Sequence, residues 1–525
     1  MKMQKVLILF FSYFLFVSCA AQKNTNQIKP KTTANSLLTD NSKKITLEDI
    51  WSKGTFRGQY LGGFQSMKNG DYYVVINNQG TQLDKYSYKT LNKVETLINA
   101  NNLNGIASLY DYTFNEDETK VLIGTSQKQI YRHSKTGVYY VYNLKTQKLE
   151  LLTDKEIQEP TFSPDGKKVA YMYANNLFIK NLESNQTTQI TFDGEKNKII
   201  NGITDWVYEE EFAFVRAFQW NKKSDKLAFI RFDESEVPEF SMAVYGKELY
   251  PKIETFKYPK AGENNAKVSL HLYNLNTKNK TTIDLGKDQQ YYIPRIKWTN
   301  KDILSVITLN RHQNNLNLIF VDGKSLNHQI VLNEKDKAYI DITDNLTFLK
   351  DNSFIWTSEQ DGWNHIYHYS ENGRLINQIT KGNWEVTAYY GYDDKSNQIF
   401  YQSTQDGSIN RSIHSVKLDG SNPIKLNNKI GTNDAAFSPS FSYYINTFSN
   451  AETPTIYTLN DSKTGKELKE ILNNSFVLNK LKDYHLPKKE FSTITTKEGT
   501  FNMWMIKPAN FDANKKYPLF MYQYS

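Results

Sequence analysis

The sequence contains a single cysteine, Cys19, so a disulfide within the chain is excluded. Its 64 basic and 56 acidic residues leave a formal net charge of only +8, which gives no reason to expect nucleic acid as a partner. The eight histidines are scattered, and we expect neither a metal nor another cofactor. The apolar share is low, at 39%, but 35 Tyr and 29 Phe supply large contact areas. This composition is typical of a globular, β-rich protein.

The first nineteen residues have the pattern of an export signal. Lys2 and Lys5 precede an apolar run from Val6 to Val17. This short run after a basic start fits a secretory signal better than a bilayer-spanning helix. Cys19 follows at the end of the run, as in a bacterial lipoprotein signal, although an ordinary cleaved signal is the alternative. We therefore predict a lipid anchor on Cys19 that attaches the exported chain to a membrane of the bacterial cell envelope, periplasmic or outer-membrane associated. Residues 20–45, rich in Asn, Thr and Lys, are predicted to be a flexible tether.

One pattern recurs along most of the remaining chain. Its clearest copy runs from Phe162 to Tyr171, where Pro164 and Asp165-Gly166 predict a tight turn between two strands. Seven weaker copies occur at Met67–Val75, Phe114–Leu122, Trp220–Phe229, Trp298–Val306, Phe348–Trp356, Tyr392–Tyr401 and Phe437–Ile445. Eight units of this size favour an all-β fold with an eight-bladed β-propeller over residues 60–482, preceded by a leading segment at 46–59. An array of β-sandwiches is the structural alternative.

The pattern changes after about Leu481. Phe491–Thr496 and Asn502–Pro508 are predicted strands outside the repeat, and Tyr517–Ser525 reads as an apolar strand of the kind that is buried in an α/β sheet. We expect residues 483–525 to be the first strands of an incomplete α/β-hydrolase domain. On this interpretation the chain is part of a longer protein.

The most specific segment is Asp205-Trp-Val-Tyr-Glu-Glu-Glu211, which places three adjacent carboxylates among aromatic residues. It resembles the motif that the dipeptidyl peptidase IV family, in the prolyl oligopeptidase superfamily, carries on its propeller. The resemblance implies that Glu210 and Glu211 hold the free α-amine of a peptide substrate. Paired carboxylates suit an ammonium group, which has a full charge and three donors. A solvated acidic helix face is the alternative.

Two further segments extend the resemblance. Gln129–Ser134 is similar to the family segment whose arginine contacts a carbonyl oxygen of the substrate's first residue, which implies that role for Arg132. Lys516–Tyr524 is similar to the strand whose last tyrosine donates a hydrogen bond to the oxyanion, which implies a catalytic role for Tyr524. Around Tyr339 to Asp344 no secure match is found, and the preference for the substrate's first residue stays open.

The chain has no Gly-x-Ser-x-Gly sequence, so the nucleophilic serine of such a hydrolase, and the Asp and His that follow it, are absent from these residues. The resemblance implies that the chain is the substrate-gating part of a serine exopeptidase that releases X-Pro or X-Ala dipeptides, and that it is inactive alone. Peptides with a free N-terminus are then the substrates, and a homodimer is possible in this family. A prolyl tripeptidyl peptidase and a non-catalytic, lipid-anchored peptide-binding propeller are the alternatives.

Overall fold

The computed structural model describes residues 43–61, 64–77, 79–109, 111–286, 291–484 and 486–523. Eight small antiparallel sheets follow one another along the chain, each built from one continuous segment of sequence. The first four blades contain the strands β1 (Gln65–Ser66), β2 (Tyr72–Ile76), β3 (Gln82–Ser87), β4 (Lys93–Asn99); β5 (Asp111–Phe114), β6 (Lys120–Gln129), β7 (Lys135–Asn143), β8 (Lys148–Leu151); β9 (Gln158–Phe162), β10 (Lys168–Tyr173), β11 (Asn176–Asn181), β12 (Thr187–Gln189); and β13 (Ile199–Asn201), β14 (Phe218–Trp220), β15 (Lys226–Asp233), β18 (Lys267–Asn274) and β19 (Asn279–Ile283).

The last four blades repeat the same order of strands. They contain β20 (Tyr291–Trp298), β21 (Ile303–Asn310), β22 (Asn315–Asp322), β23 (His328–Lys335); β24 (Thr347–Phe348), β25 (Phe354–Ser358), β26 (His365–Tyr369), β27 (Leu375–Gln378); β28 (Val386–Asp393), β29 (Gln398–Ser403), β30 (Ser412–Lys417), β31 (Ile424–Lys425); and β32 (Thr432–Phe437), β33 (Tyr443–Ser449), β34 (Ile456–Asp461) and β35 (Glu467–Leu472). The prediction of an all-β, eight-bladed propeller is confirmed.

All eight copies of the repeated pattern fall on the turn between the first and second strands of a blade. In blade 4 the first strand is interrupted, and the turn follows its second part, β14. In four of these turns a side-chain oxygen at the first turn position accepts the backbone N–H five residues later: Asn115 from Lys120, Ser163 from Lys168, Asn221 from Lys226 and Ser438 from Tyr443. Such a side chain replaces backbone partners that a tight turn leaves open. The recurring turn is therefore specified locally by polar residues.

Neighbouring blades are joined by polar contacts at the same turns and by shared apolar clusters. Lys226 Nζ lies 2.5 Å from Asp302 Oδ2, and Lys120 Nζ donates to the carbonyl oxygen of Gly166 at 2.8 Å. The largest cluster of buried apolar side chains runs from Ala170 to Tyr369 and so spans blades 3 to 6. Because each blade packs mainly on its two neighbours, the core is distributed around the ring.

Blade 8 meets blade 1 through side chains. The rings of Tyr88 and Tyr443 stack with centroids 5.7 Å apart, and Ser440 Oγ donates to the carbonyl oxygen of Gly70 at 3.3 Å. The Asn474 side chain accepts the backbone N–H of Gln59 at 2.7 Å and donates to its carbonyl oxygen at 2.9 Å. These contacts close the ring between segments nearly 400 residues apart in sequence.

Between β15 and β18, blade 4 carries an inserted hairpin of β16 (Glu239–Val244) and β17 (Lys252–Lys257). Before the propeller, a five-residue π-helical turn occupies Glu48–Ser52, and after it comes the helix α2 (Ser475–Leu481). None of the helices among the described residues is long and apolar enough to span a membrane.

The predicted strands beyond the repeat form a two-stranded hairpin of β36 (Lys489–Thr496) and β37 (Gly499–Ile506). The prediction of a further strand from Tyr517 was wrong for the described residues up to Gln523, which form no strand. Leu519 and Phe520 are 84% and 88% exposed. A strand requires a partner for its backbone groups, and no described strand pairs with this segment.

Candidate functional site

The first strand of blade 4 is interrupted by a loop that carries the acidic motif. β13 and β14 both pair with β15, and the loop between them is closed at its base by hydrogen bonds from Thr204 N to Val215 O and from Ala217 N to Gly202 O. Gly202, at a φ of +74°, allows the chain to leave the strand. The motif is thereby held outside the sheet on a fixed base.

The interruption contains one short helix, α1 (Trp206–Glu211). Asp205 caps it, because its Oδ1 accepts the backbone N–H of Tyr208 at 3.0 Å. Tyr208 is 1% exposed, packs edge-on against Phe232 and Phe212, and its hydroxyl accepts the N–H of Ile293 from blade 5 at 2.9 Å. An aromatic anchor and a cap therefore fix the orientation of α1.

The three glutamates of α1 have different surroundings. Glu209 is 1% exposed, Glu210 is partly buried, and Glu211 is exposed. Consecutive helix residues point about 100° apart, so three neighbours must face three directions. The sequence-based interpretation assigned substrate contact to Glu210 and Glu211 only, and these are the two whose side chains have access to solvent.

The hairpin of β6 and β7 in blade 2 brings a second element to α1. Its loop contains Arg132, whose Nε donates to Glu210 Oε2 at 2.7 Å. The Arg132 side chain is 70% exposed, and that of Glu210 only 16%. The structure thus brings together two of the predicted site residues that are 78 positions apart in sequence. Tyr524 and Cys19 lie outside the described residues.

The insertion hairpin supports both elements with aromatic side chains. The ring of Tyr258 lies 4.4 Å from that of Trp206 on α1, and the ring of Phe256 lies 5.8 Å from that of Tyr131 beside Arg132. Both hairpins connect the second and third long strands of their blades. In an antiparallel sheet, connections between strands 1 and 2 and between strands 2 and 3 lie at opposite ends of the strands. The site is therefore on the face of the propeller opposite the repeated turns.

A cavity of about 460 Å³ adjoins the site, with Tyr131, Ser134, Glu209 and Glu234 among its lining residues. Burial, helped by the nearby carboxyl of Asp205, raises the pKa of Glu234 to about 7, and burial raises the pKa of Asp205 to about 6. No sequence pattern singled out Glu234 as a site residue.

A second cavity, of about 270 Å³, lies around Tyr339 to Asp344, where no secure family match was found. Tyr339, Asp336, Asp341 and Glu359 are among its lining residues. Burial raises the pKa of Tyr339, and the carboxylates of Asp341 and Glu211 raise it further. Tyr339 is therefore close enough to α1 to sense the charge of Glu211.

The histidines that are buried in the blades serve the fold. His365 Nδ1 lies 3.0 Å from Thr380 Oγ1 and its Nε2 lies 3.0 Å from the carbonyl oxygen of Gly382, while His368 Nε2 lies 2.9 Å from Ser353 Oγ. Within the residues that the structure describes, no group of three or more His, Cys, Asp or Glu side chains is arranged to hold a metal ion.

The chain is similar to known proteins over most of its length. Residues 115–455 match the family model described as the dipeptidyl peptidase IV (DPP IV) N-terminal region. A curated dipeptidyl peptidase 4 from Trichophyton equinum is 30% identical over 509 residues, and the match covers 92% of this chain and 64% of that protein. A probable dipeptidyl-aminopeptidase B from Fusarium vanettenii is 30% identical over 449 residues, covering 78% of this chain and 49% of the relative. The chain thus spans only part of the length of these relatives.

A solved structure gives the same result. The crystal structure of Porphyromonas gingivalis dipeptidyl peptidase 4 matches with a TM-score of 0.87 and 39% identity, over 91% of this chain and 69% of that one. The family model matches well over half of the sequence, and it does so across the blades that carry Arg132 and α1. This chain belongs to the dipeptidyl peptidase IV family.

Proposed function

We propose that this chain is the substrate-gating part of a serine exopeptidase that removes X-Pro or X-Ala dipeptides from peptide N-termini. The observation that carries the proposal is the arrangement of Glu210, Glu211 and Arg132 on one face of the propeller, with Glu210 and Arg132 in contact at 2.7 Å. Two carboxylates and one guanidinium leave a single negative charge, which complements one ammonium group.

The contact with Arg132 leaves Glu210 able to bind a ligand. Its Oε2 accepts from Arg132, while Oε1 makes no hydrogen bond to any of the described residues. The guanidinium has five N–H donors in a fixed plane, and its Nε uses one of them, so others are available for a substrate carbonyl oxygen. Arg132 and the two glutamates would then fix the N-terminus and the first carbonyl of a peptide together.

This arrangement would select the scissile bond by distance. A peptide held at its α-amine places only one peptide bond at a nucleophile in a fixed position, which is catalysis by positioning. Tyr524 would donate its phenolic O–H to the oxyanion. The sequence has no Gly-x-Ser-x-Gly elbow, so the proposal requires the Ser, Asp and His to come from outside these residues. The chain alone is then expected to be inactive.

The experiment compares Gly-Pro-p-nitroanilide with its N-acetylated form in the full-length gene product. Glu210→Gln or Glu211→Gln should lower kcat/KM for the free-amine substrate about 10- to 100-fold, because each removes one charge-assisted bond worth ~1.5–3 kcal/mol. The acetylated substrate should be cleaved poorly by the parent and lose little more in either variant. Glu116→Gln, an exposed glutamate on the opposite face, is the matched control and should retain parental rates.

Parental rates in both Gln variants would contradict the proposal. Faster release from Ala-Ala-Pro-p-nitroanilide than from Gly-Pro-p-nitroanilide would indicate a tripeptidyl peptidase. Peptide binding without hydrolysis of either substrate would indicate a non-catalytic propeller.

The proposal also places the protein on a membrane of the cell envelope through lipid on Cys19. Cys19→Ser removes the only thiol in the chain. We expect this variant to lose radiolabelled fatty acid and to move from the membrane fraction to the soluble exported fraction. Unchanged membrane partition would contradict the lipid anchor.

A further inference from the structure

Glu209 directly precedes Glu210 and Glu211, the two glutamates proposed to bind the substrate, but its carboxylate points into the protein. Its Oε1 accepts two backbone N–H groups, from His133 at 2.6 Å and from Ser134 at 2.8 Å. The residue is 1% exposed. A buried carboxylate with two short N–H donors makes strong, directional contacts. Its donors are the two residues that directly follow Arg132.

Several other polar contacts of the Arg132 loop are internal to its own hairpin. Ile130 N donates to Ser134 O at 2.8 Å, Tyr131 N donates to Ser134 Oγ at 3.2 Å, and the Gln129 side chain donates to the carbonyl oxygens of Tyr131 and Arg132. These bonds fix the shape of the loop. They do not fix its distance from α1, which belongs to another blade.

Among the described residues, four contacts join the loop to blade 4: the bond between Arg132 and Glu210, the ring contact between Tyr131 and Phe256, and the two N–H bonds to Glu209. The first involves a largely exposed arginine, and such exposed ion pairs contribute little to holding a structure together. The ring contact, with centroids 5.8 Å apart, is made by side chains and does not fix the position of the backbone. Of these four contacts, the two bonds to Glu209 are the ones made by the backbone of the residues next to Arg132.

We propose that Glu209 is a positioning residue: it fixes the Arg132 loop against α1 so that the guanidinium and the carboxylate of Glu210 act on the same substrate end. The proposal rests on the function proposed above for Arg132 and Glu210. The three glutamates then have two functions: Glu209 orients Arg132, and Glu210 and Glu211 bind the amine.

A double-mutant cycle in the full-length gene product tests this, with kcat/KM for Gly-Pro-p-nitroanilide as the readout. Arg132→Ala should lower kcat/KM about 10- to 100-fold, and Glu209→Ala should lower it by a similar factor. In the Arg132→Ala background, adding Glu209→Ala should cost less than about 2-fold, because the group that Glu209 positions is gone. Glu209→Gln keeps an acceptor oxygen and should recover much of the activity lost in Glu209→Ala.

Asp302→Asn is the matched structural control. Asp302 also joins two blades, through Lys226 and through Asn221 Nδ2 at 2.8 Å, but it lies in a turn on the opposite face. Its variant should lower the thermal unfolding midpoint and leave kcat/KM unchanged. A loss of activity in Asp302→Asn equal to that in Glu209→Ala would overturn the proposal, since any weakened blade contact would then have the same effect.

Two other outcomes decide the matter separately. If Glu209→Ala costs as much in the Arg132→Ala background as in the parent, Glu209 does not act through Arg132 and the inference is overturned while the proposed function stands. If Arg132→Ala keeps parental activity, the proposed role of Arg132 fails first. If Glu209→Ala does not fold, the same cycle with Glu209→Asp decides, because the shorter side chain withdraws the acceptor oxygen from the two N–H groups, and additive losses again overturn the inference.

Discussion

The two faces of this propeller are built in different ways. On one face the turn between the first and second strands recurs in every blade. In four blades a polar side chain at the start of the turn accepts a backbone N–H from its end. On the other face the connections are unequal: the bulged hairpin with Arg132, the inserted hairpin of β16 and β17, and the interrupted strand with α1 beside them. The uniform turns belong to the ring of blades, whereas the irregular connections bring the side chains of the proposed site together.

The faces also differ in the range of their contacts. The conformation of a repeated turn is fixed by bonds within five or six residues, and its bonds to other segments reach the adjacent blade. The site depends on contacts between Arg132, Glu209 and Glu210 that connect blades 2 and 4. Disrupting the first face should therefore reduce stability, and disrupting the second should reduce activity. The predictions below test this separation.

The largest effect is expected from Gly70→Ala, in the repeated turn of blade 1. Gly70 has a φ of +75°, and an added Cβ would lie 2.7 Å from the backbone nitrogen of Ser440 in blade 8. Both the backbone conformation and the contact must change, and we expect a loss of about 2–4 kcal/mol in the free energy of unfolding. Differential scanning calorimetry should show a lower midpoint.

Gly246→Ala is the control for this prediction, because Gly246 lies in the inserted hairpin and a Cβ there would meet nothing within 4 Å. Its effect on unfolding should stay within about 0.5 kcal/mol. Equal midpoints for the two variants would show that the contact of blade 1 with blade 8 does not limit stability.

A smaller, pH-dependent effect is expected from Glu234→Gln, at the root of the inserted hairpin. Burial and Asp205 raise the pKa of Glu234 from 4.5 to about 7, while Lys257 opposes the shift and Asp233 adds to it. The folded protein therefore binds this proton more tightly than the unfolded chain. The resulting stabilisation is present below pH 4.5 and is lost as the pH rises through about 7.

Gln cannot ionise, so the variant should be more stable than the parent at pH 8, by roughly 1 kcal/mol, and should lose this advantage at pH 5. Thermal midpoints of both proteins at the two pH values provide the test. The raised pKa of Asp205 acts in both proteins and largely cancels in the difference. A constant difference between pH 5 and pH 8 would show that Glu234 is ionised throughout.

The sequence predicts the fold better than it predicts the site. The repeated turns were found because Pro164, Asp165 and Gly166 specify a local conformation. Residues such as Arg132 and Glu210 were assigned through family resemblance, since nothing local relates two side chains that are 78 positions apart. The burial of Glu209 was not predicted, although three consecutive glutamates on a helix cannot all face solvent equally. The strand predicted from Tyr517 failed because apolar character does not supply a pairing partner.

The junction between the last blade and the first has a mechanical consequence. Each blade sheet is complete within its own segment, and among the described residues no strand is shared between blade 8 and blade 1. Separating the two blades would break the stacking of Tyr88 on Tyr443 and a few side-chain bonds, but no inter-strand ladder. Among the described residues, blades 8 and 1 are joined by side-chain contacts, and the segments that flank them by a backbone bond from Lys43 N to Asp483 O, so a loss of these contacts would open the ring while every sheet stays intact.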